Sequence, residues 1–279
     1  MVAEQELKRF GFGANWASFS DEIDEERFEQ AICSLQNIFG LDTFENKRFL
    51  DLGCGSGLFS FAAASLGARV VSIDYDPQSV NCAEKLKAKG GFLDDRWEVH
   101  QGSVLDPTLM DELGKGDLVY CWGVVHHTGK MREAIANIAS LVNENGLLCI
   151  AIYNDQGGAS MRWLKIKQAY NAFPSALRPV FAMAVAAFYE LRFSLARLMH
   201  LKNPLPFSDW KKKKSDRGMS VWHDWVDWIG GLPFEVAKPD EIIALLRAKG
   251  FILEKLKTVG NGWGCNEFLF SRKTHTVGH

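Results

Sequence analysis

The sequence predicts an α/β fold, a doubly wound and mostly parallel seven-stranded sheet with a helical insertion. Three observations support it. Strand-like and helix-like segments alternate from Arg48 to Tyr153, which predicts parallel strands joined by right-handed crossovers. The run Leu147–Tyr153 is almost wholly apolar, as expected of a strand buried on both faces. After Tyr153 the chain becomes helical, basic and aromatic, and the alternation resumes only at Asp240.

Each predicted strand is a short apolar run bounded by turn residues, and most strands are followed by helical periodicity. The strands are predicted at residues 48–52, 69–74, 97–100, 117–122, 147–153, 251–258 and 267–272. The helices are predicted at residues 22–39, 58–66, 77–89, 131–142 and 240–249. A glycine turn ends the first strand after Leu52, and Pro77 favours the start of its helix.

These elements divide the chain into four segments. Residues 1–44 are predicted to form an N-terminal helical lid, and residues 45–153 the ligand-binding α/β core. Residues 154–237 form the basic, aromatic insertion, to which we assign recognition of the substrate, and residues 238–279 complete the sheet. The insertion carries Trp222, Trp225 and Trp228 on one helical face, which either packs on the core or stacks on a ligand.

The composition is that of a globular protein, with 279 residues of which 47% are hydrophobic. The net charge is −2, so the whole chain shows no bias towards a polyanion, and DNA is not an expected partner. Between residues 159 and 217, however, twelve Lys and Arg face three Asp and Glu, a difference of +9. That segment is either a solvated surface or an attraction for a phosphate-bearing substrate, RNA or an anionic membrane.

The sequence gives little sign of secretion, metal binding or membrane insertion. The six cysteines contain no C-x-x-C pair, so we expect neither a metal site nor a disulfide framework. The charged N-terminus is no secretory signal. The most apolar stretch, Pro179–Tyr189, is too short to cross a bilayer, although Pro179–Met199 has the composition to rest on a membrane surface or cap a pocket. The expectation is a cytoplasmic protein without a transmembrane segment.

The strongest motif is Asp51-Leu52-Gly53-Cys54-Gly55-Ser56-Gly57, between a predicted strand and a predicted helix. Glycines allow a tight turn and close approach of a ligand to the backbone. Asp74 ends the second strand about 20 residues later, where an acid can accept hydrogen bonds from ribose hydroxyls. The turn lacks the G-x-G-x-x-G spacing of dinucleotide sites, and Asp51 suits an ammonium group and repels a pyrophosphate. The alternative is a structural turn in another α/β protein.

Three segments, Asp51–Gly57, Val71–Asp74 and Trp122–His127, resemble the class I S-adenosylmethionine-dependent methyltransferases, especially the small-molecule and ubiquinone-biosynthesis-like methylases. The resemblance covers residues 45–155 well and implies a Rossmann-like fold with S-adenosylmethionine as the cofactor. The flanking segments, Arg9–Trp16 and Gly264–Phe268, are similar to a bacterial subgroup of the same family.

The resemblance also implies roles for single residues along the cofactor. Those at the methionine end would be Asp51, Gly53, Gly55 and Gly57. Those along the nucleoside would be Asp74 at the ribose, Tyr75 beside the adenine, Ser103 and Val104 capping the adenine, and Trp122 at the end of the fourth strand. The acid that the family often carries near Ser103 is absent, so the adenine contact departs from the family pattern.

The acceptor site is expected beyond the carboxyl ends of the parallel strands. Methyl transfer needs an aligned acceptor and, for a hydroxyl, a base, so we predict His126 or His127 as the base and Tyr153 as a catalytic or packing neighbour. Histidines here could instead hydrogen-bond a loop, and no third ligand supports a metal. The predicted substrate-binding residues are Trp16, which alternatively packs on the sheet, Asn154, His223 and Asn266.

Three functions compete at this point. The first is methylation of an oxygen on a small molecule or glycan, by in-line transfer with histidine-assisted deprotonation. The second is tRNA modification, with the basic insertion as the docking surface, although the lysines are not interleaved with aromatic residues. The third is a non-catalytic, cofactor-binding interaction protein, against which the complete glycine turn argues.

Overall fold

The computed structural model describes residues 25–201, 203 and 221–273, and the chain forms two compact units. The sheet unit comprises the described parts of Gly11–Gly157 and Pro233–His279. The helical unit comprises the described parts of Gly158–Leu232. The insertion was predicted at residues 154–237, but Asn154 and Ala237 form a β-bridge within the sheet unit, so both ends of that segment belong to the sheet.

The sheet unit contains seven strands in the order β3-β2-β1-β4-β5-β7-β6. They are β1 Arg48–Leu52, β2 Arg69–Asp74, β3 Trp97–Gln101, β4 Gly116–Trp122, β5 Val142–Tyr153, β6 Phe251–Lys257 and β7 Cys265–Arg272. The first five strands are parallel, and β7 runs antiparallel to both of its neighbours. The predicted doubly wound, mostly parallel seven-stranded sheet is confirmed.

Helices connect these strands, and proline and aspartate mark where two of them begin. The helices of the sheet unit are α1 Glu25–Phe39, α2 Leu58–Ser65, α3 Pro77–Lys89, α4 Pro107–Leu113, α5 Met131–Ser140 and, after the helical unit, α9 Pro239–Arg247. Asp76 accepts a hydrogen bond from the Gln78 amide before α3, and Asp106 accepts one from Thr108 before α4. Helix α4 was not predicted, although the Asp-Pro pair is a helix-start signal.

Strand order reverses between β1 and β4, so the carboxyl ends of the parallel strands open a crevice at that place. The register aligns Asp51 with Ser72 on β2 and with Tyr120 on β4. Strand β5 starts at Val142 instead of the predicted Leu147, because Val142 pairs with Gly116 of β4 and extra residues of β5 follow before the pairing resumes at Leu147.

The helical unit contains α6 Gly158–Ala172, α7 Arg178–Met199 and α8 Val221–Gly230. The carboxyl end of α8 is capped from α6. The wholly buried Lys167 donates through Nζ to the Trp228 carbonyl, and Asn171 donates through Nδ2 to the Gly230 carbonyl at 2.8 Å. A buried ammonium at a helix carboxyl terminus satisfies carbonyls that the helix leaves without intrahelical partners.

The apolar stretch Pro179–Tyr189, predicted to be too short to cross a bilayer, is part of a longer helix. The helix continues beyond Tyr189 to Met199, because Arg192 and Arg197 do not interrupt helix formation. The segment Ser175–Met199 is mostly exposed and is long and apolar enough to cross a membrane by length and composition alone. Buried core helices of soluble proteins and signal sequences also meet this criterion, so it establishes no span.

Candidate active site

The glycine turn lies between the end of β1 and the start of α2. The amides of Gly53 and Cys54 donate to the Ile73 carbonyl at 2.8 and 2.9 Å, which holds the turn against β2. Gly53, Gly55 and Gly57 all have positive φ, at 90°, 55° and 82°. The turn therefore requires its glycines for conformation, whatever ligand it receives.

Two of these glycines also allow close packing. A Cβ on Gly53 would lie 2.3 Å from the Val124 side chain, and one on Gly57 would lie 2.9 Å from the Cα of Ala83 on α3. Side chains at these positions would push the turn away from the β4 loop or from the neighbouring helix. Both glycines are thus explained by the fold, and their predicted contacts with a cofactor remain predictions.

Asp51 lies buried at the centre of a hydroxyl network. Its carboxylate accepts a hydrogen bond from Ser60 Oγ at 2.5 Å, and Ser60 Oγ lies 2.7 Å from Ser72 Oγ. Trp97 Nε1 in turn donates to Ser72 Oγ at 2.7 Å. This chain of bonds fixes the carboxylate at the end of β1.

Asp74 is the last residue of β2, and its carboxylate accepts hydrogen bonds from two backbone amides. Its Oδ2 accepts a hydrogen bond from the Gly55 amide at 2.9 Å, and its Oδ1 accepts one from the Asp76 amide at 2.9 Å. The acid that the resemblance assigns to the ribose therefore contacts the glycine turn directly.

The two carboxylates form no ion pair within the part of the chain that the structure describes. Burial raises the pKa of Asp51 to about 7, opposed by the Ser60 hydrogen bond and reinforced by the negative charge of Asp74. Burial also raises the pKa of Asp74, although hydrogen bonds from Asp76 and Gly55 oppose the shift. Such a site favours a ligand that carries positive charge.

The other residues predicted along the cofactor occupy different environments. Tyr75 is 58% exposed beside Asp74, whereas the Val104 side chain is buried and its carbonyl accepts a hydrogen bond from Asn137 Nδ2 at 2.9 Å. Ser103 Oγ accepts a hydrogen bond from the Leu105 amide at 3.1 Å, and Trp122 is half-buried. Of these residues, Tyr75 offers the most accessible ring surface.

His126 is wholly buried, and its ring is fixed by Tyr153. Its Nδ1 accepts a hydrogen bond from the Tyr153 amide at 3.3 Å, and the two rings stack with centroids 3.7 Å apart. Because Nδ1 accepts, the neutral ring carries its proton on Nε2. This tautomer is a donor at Nε2 and is not a base there.

His127 has the opposite tautomer. Its Nδ1 lies 2.7 Å from the Pro233 carbonyl oxygen, which can only accept, so Nδ1 carries the proton and Nε2 the lone pair. The ring is half-buried and lies edge-on to Tyr153, with centroids 5.3 Å apart. The structure thus separates two histidines that the sequence left equivalent: His127 is the one with a basic nitrogen at Nε2.

Sequence reasoning missed the segment Pro233–Ala237. Its Glu235 amide donates to the His126 carbonyl at 2.9 Å, and its carboxylate accepts from the Met131 amide at 3.0 and 3.2 Å, which caps α5. Burial raises the pKa of Glu235, opposed by bonds from Met131 and Gly129. The Phe234 ring lies 5.5 Å from Tyr153. No local pattern reveals a cap that comes from 104 residues away.

The predicted substrate-binding residues have different outcomes. Asn266 is buried, and its Nδ2 donates to Asn154 Oδ1 at 3.0 Å, while Asn154 Nδ2 donates to the Gly260 carbonyl at 2.8 Å. These bonds fasten the loop between β6 and β7, so any role in binding substrate remains a prediction. Trp16 and the side chain of His223 lie outside the described residues.

Among the residues that the structure describes, no group of three or more His, Cys, Asp or Glu is placed to hold a metal ion.

Residues 50–148 match the family model described as a methyltransferase domain. This match confirms the methyltransferase resemblance over the α/β core, and residues 50–148 therefore form a methyltransferase domain. The rest of the chain lies outside the match.

Named relatives that match part of the chain are also methyltransferases. The chain is 32% identical over 108 residues to the mitochondrial ubiquinone biosynthesis O-methyltransferase of Schizosaccharomyces pombe, covering 39% of this chain and 38% of that protein. It is 35% identical over 119 residues to a ribosomal protein L11 methyltransferase of Enterobacter, covering 42% of this chain and 37% of that protein. The matched segments thus span less than half of these relatives.

The fold has a close counterpart among solved structures. Magnesium protoporphyrin IX methyltransferase from Synechocystis, crystallised with bound S-adenosylhomocysteine (SAH), superposes with a TM-score of 0.52 at 15% identity. The superposition covers 89% of this chain and 84% of that one. At this identity the likeness establishes the fold.

Proposed function

We propose that this protein is an S-adenosylmethionine-dependent methyltransferase that methylates a hydroxyl group of a small molecule or glycan. The observation that carries the proposal is a pair of carboxylates, the buried Asp51 and the half-buried Asp74, on either side of the glycine turn at the carboxyl edge of β1 and β2. Their position at the carboxyl ends of β1 and β2, beside the reversal of strand order, supports the proposal, because doubly wound sheets bind their ligands at such an edge.

The donor set fits the proposed cofactor. S-adenosylmethionine carries an ammonium and a sulfonium, and it supplies an activated methyl group when bound. Asp51 and Asp74 hold negative charge that no cation of the described chain neutralises, so a cationic ligand lowers the cost of keeping both ionised. Asp74 would hold the ribose and the exposed Tyr75 would lie beside the adenine.

His127 is the proposed base. Its Nδ1–H bond to the Pro233 carbonyl fixes both the tautomer and the ring orientation, so Nε2 is the ring nitrogen that would accept a proton from an acceptor hydroxyl. The rings of His126 and Tyr153 stack on each other, and the His126 ring lies edge-on to the His127 ring. We therefore assign His126 and Tyr153 as positioning residues for His127.

A hydroxyl acceptor is favoured because it needs a base and the site offers one. A neutral amine carries its own lone pair and needs less assistance. The O-methyltransferase relatives are consistent with an oxygen acceptor, and a phosphate-bearing acceptor would suit the excess of basic residues between 159 and 217.

The test is methyl transfer from radiolabelled S-adenosylmethionine to a panel of catechols, simple phenols and sugars. Wild-type protein is compared with His127→Asn, whose side-chain amide can still donate to the Pro233 carbonyl but lacks the basic nitrogen. We expect labelling of a hydroxyl compound, with kcat lowered about 10²- to 10⁴-fold in the variant.

His126→Asn is the matched control, since its side-chain oxygen can still accept from the Tyr153 amide. We expect this variant to keep the fall in rate at low pH that reports protonation of a base and that His127→Asn loses. Equal rates for wild type and His127→Asn would exclude the histidine base, and labelling of amines alone would exclude the hydroxyl acceptor.

A further inference from the structure

Helix α7 turns its most apolar side chains away from the helical unit. Seven large residues on it are between 52% and 85% exposed, namely Val180, Met183, Phe188, Leu191, Leu195, Leu198 and Met199. They recur at helical spacing with exposed alanines between them, and Arg192 lies at their edge. We call these seven residues the outer face. A surface helix of a soluble domain normally has the reverse arrangement.

The opposite face of α7 is already occupied by the helical unit. The Tyr189 ring stacks on Trp163 of α6 with centroids 4.8 Å apart, and Trp225 of α8 donates to Glu190 Oε1 at 3.3 Å. Ala182 is wholly buried against the same unit. Aromatic packing and a hydrogen-bonded acid therefore fix the orientation of the helix, and the outer face cannot turn inward without breaking them.

The charges beside the outer face are cationic. Arg192 is the exposed arginine of α7, whereas Arg178 donates to the Phe173 and Asn171 carbonyls. The single acid of the helix, Glu190, points inward and accepts from Trp225. The surrounding sequence from 159 to 217 carries twelve basic and three acidic residues. Long arginine side chains at the border of an apolar face can reach phosphate groups while their stems stay in an apolar layer.

This combination selects one occupant. Two copies joined through the outer face would bring the Arg192 side chains of both to its border, while the one acid of each α7, Glu190, is already held by Trp225. A nucleic acid would contact the arginines but would leave the leucines in water. An anionic bilayer surface satisfies both features, because its headgroups pair with the cations and its acyl boundary receives the apolar side chains.

We propose that the outer face of α7 docks the protein on the surface of an anionic lipid bilayer, with the helix parallel to the membrane plane. The occupied inner face is the reason for a parallel helix, since Glu190 and its partners cannot lie in the acyl layer. This docking surface lies outside the methyltransferase domain at residues 50–148 and does not depend on the methyl acceptor.

The test is co-sedimentation of the full-length protein with vesicles of phosphatidylcholine alone or with about 30% phosphatidylglycerol. We expect binding to the anionic vesicles, little binding to the neutral ones, and weakening at about 0.5 M salt. The double variant Leu191→Glu with Leu195→Glu should lower the bound-to-free ratio about tenfold or more, because it puts two charges on the inserted face.

Leu93→Glu is the matched control, because Leu93 is 72% exposed and lies in the sheet unit. It should bind vesicles like wild type. Circular dichroism and thermal melting report whether both variants remain folded. Equal binding to neutral and anionic vesicles, or unchanged binding of the double variant, would overturn the proposal. A dimer that the double variant dissociates, with no vesicle binding, would assign the face to a second copy.

Discussion

The sheet unit and the helical unit depart from ordinary burial in opposite ways. The sheet unit holds two acids, the buried Asp51 and the half-buried Asp74, with no cation beside them in the described chain, whereas the helical unit exposes the apolar outer face of α7. Each departure costs free energy in the isolated protein. The comparison teaches that each unit is complete only with a different partner, a cationic ligand for the first and a lipid surface for the second.

The largest expected effect concerns the buried acid of the sheet unit. The pKa of folded Asp51 is about 7, above the ordinary value of 3.8, so the folded state holds its proton more tightly than the unfolded state. Its contribution to stability is complete below about pH 4 and is lost as the pH rises through about 7. Without ligand, the loss amounts to about 4 kcal/mol at most.

Asp51→Asn removes this dependence. Urea unfolding of both proteins between pH 4 and 8 should show the wild type losing stability relative to the variant as the pH rises. A difference in unfolding free energy between the two proteins that stays constant from pH 4 to 8 would mean that Asp51 is ionised throughout. The sheet unit would then not contain an acid whose ionisation is disfavoured by burial.

The second effect concerns the one cation that the helical unit buries completely among its described residues. Lys167→Met removes the ammonium that caps the carboxyl end of α8 and leaves the Trp228 carbonyl without that donor. We expect a loss of about 1 to 3 kcal/mol in the free energy of unfolding. Lys165→Met on the same helix is the control, because Lys165 is exposed, and it should change stability little. Equal losses from both variants would show that the cap contributes nothing.

The smallest effect separates backbone strain from packing at the glycine turn. Gly57 and Gly91 have similar positive φ values, 82° and 70°, but a Cβ on Gly57 meets Ala83 whereas one on Gly91 meets nothing within 4 Å. Gly91→Ala should cost about 1 kcal/mol from strain alone. Gly57→Ala should cost about 1 kcal/mol more, measured by thermal melting. Identical melting temperatures for the two variants would mean that α3 can move away from the turn without cost.

Most of the sheet unit was predictable because its signals are local. Apolar runs, turns and the Asp51–Gly57 motif lie within a few residues of one another, so the strands and their mostly parallel, doubly wound arrangement followed from the pattern. Helix α4 and the first residues of β5 were missed. The first is a short helix, and the second is a polar stretch, Asn143–Asn145, that reads as a turn.

The site was only partly predictable, because its decisive contacts are distant in sequence. His126 and His127 are adjacent, and their tautomers differ because one accepts from Tyr153 and the other donates to the Pro233 carbonyl, 106 residues away. The cap from Glu235 is equally remote. The length of the apolar helix α7 was predicted too short, because the apolar run in the sequence stops at the first charged residues, whereas the helix itself continues through its arginines.

Isothermal titration with SAH tests the central claim most directly. Wild type, Asp74→Ala and Asp117→Ala should be compared at pH 8. Asp117 is the matched control, since it also accepts two N–H bonds, from Arg48 and Asn143, but near the amino ends of β1 and β4. The account predicts micromolar binding to wild type and Asp117→Ala, lost in Asp74→Ala. No binding to the folded wild type, or equal binding to all three proteins, would contradict it.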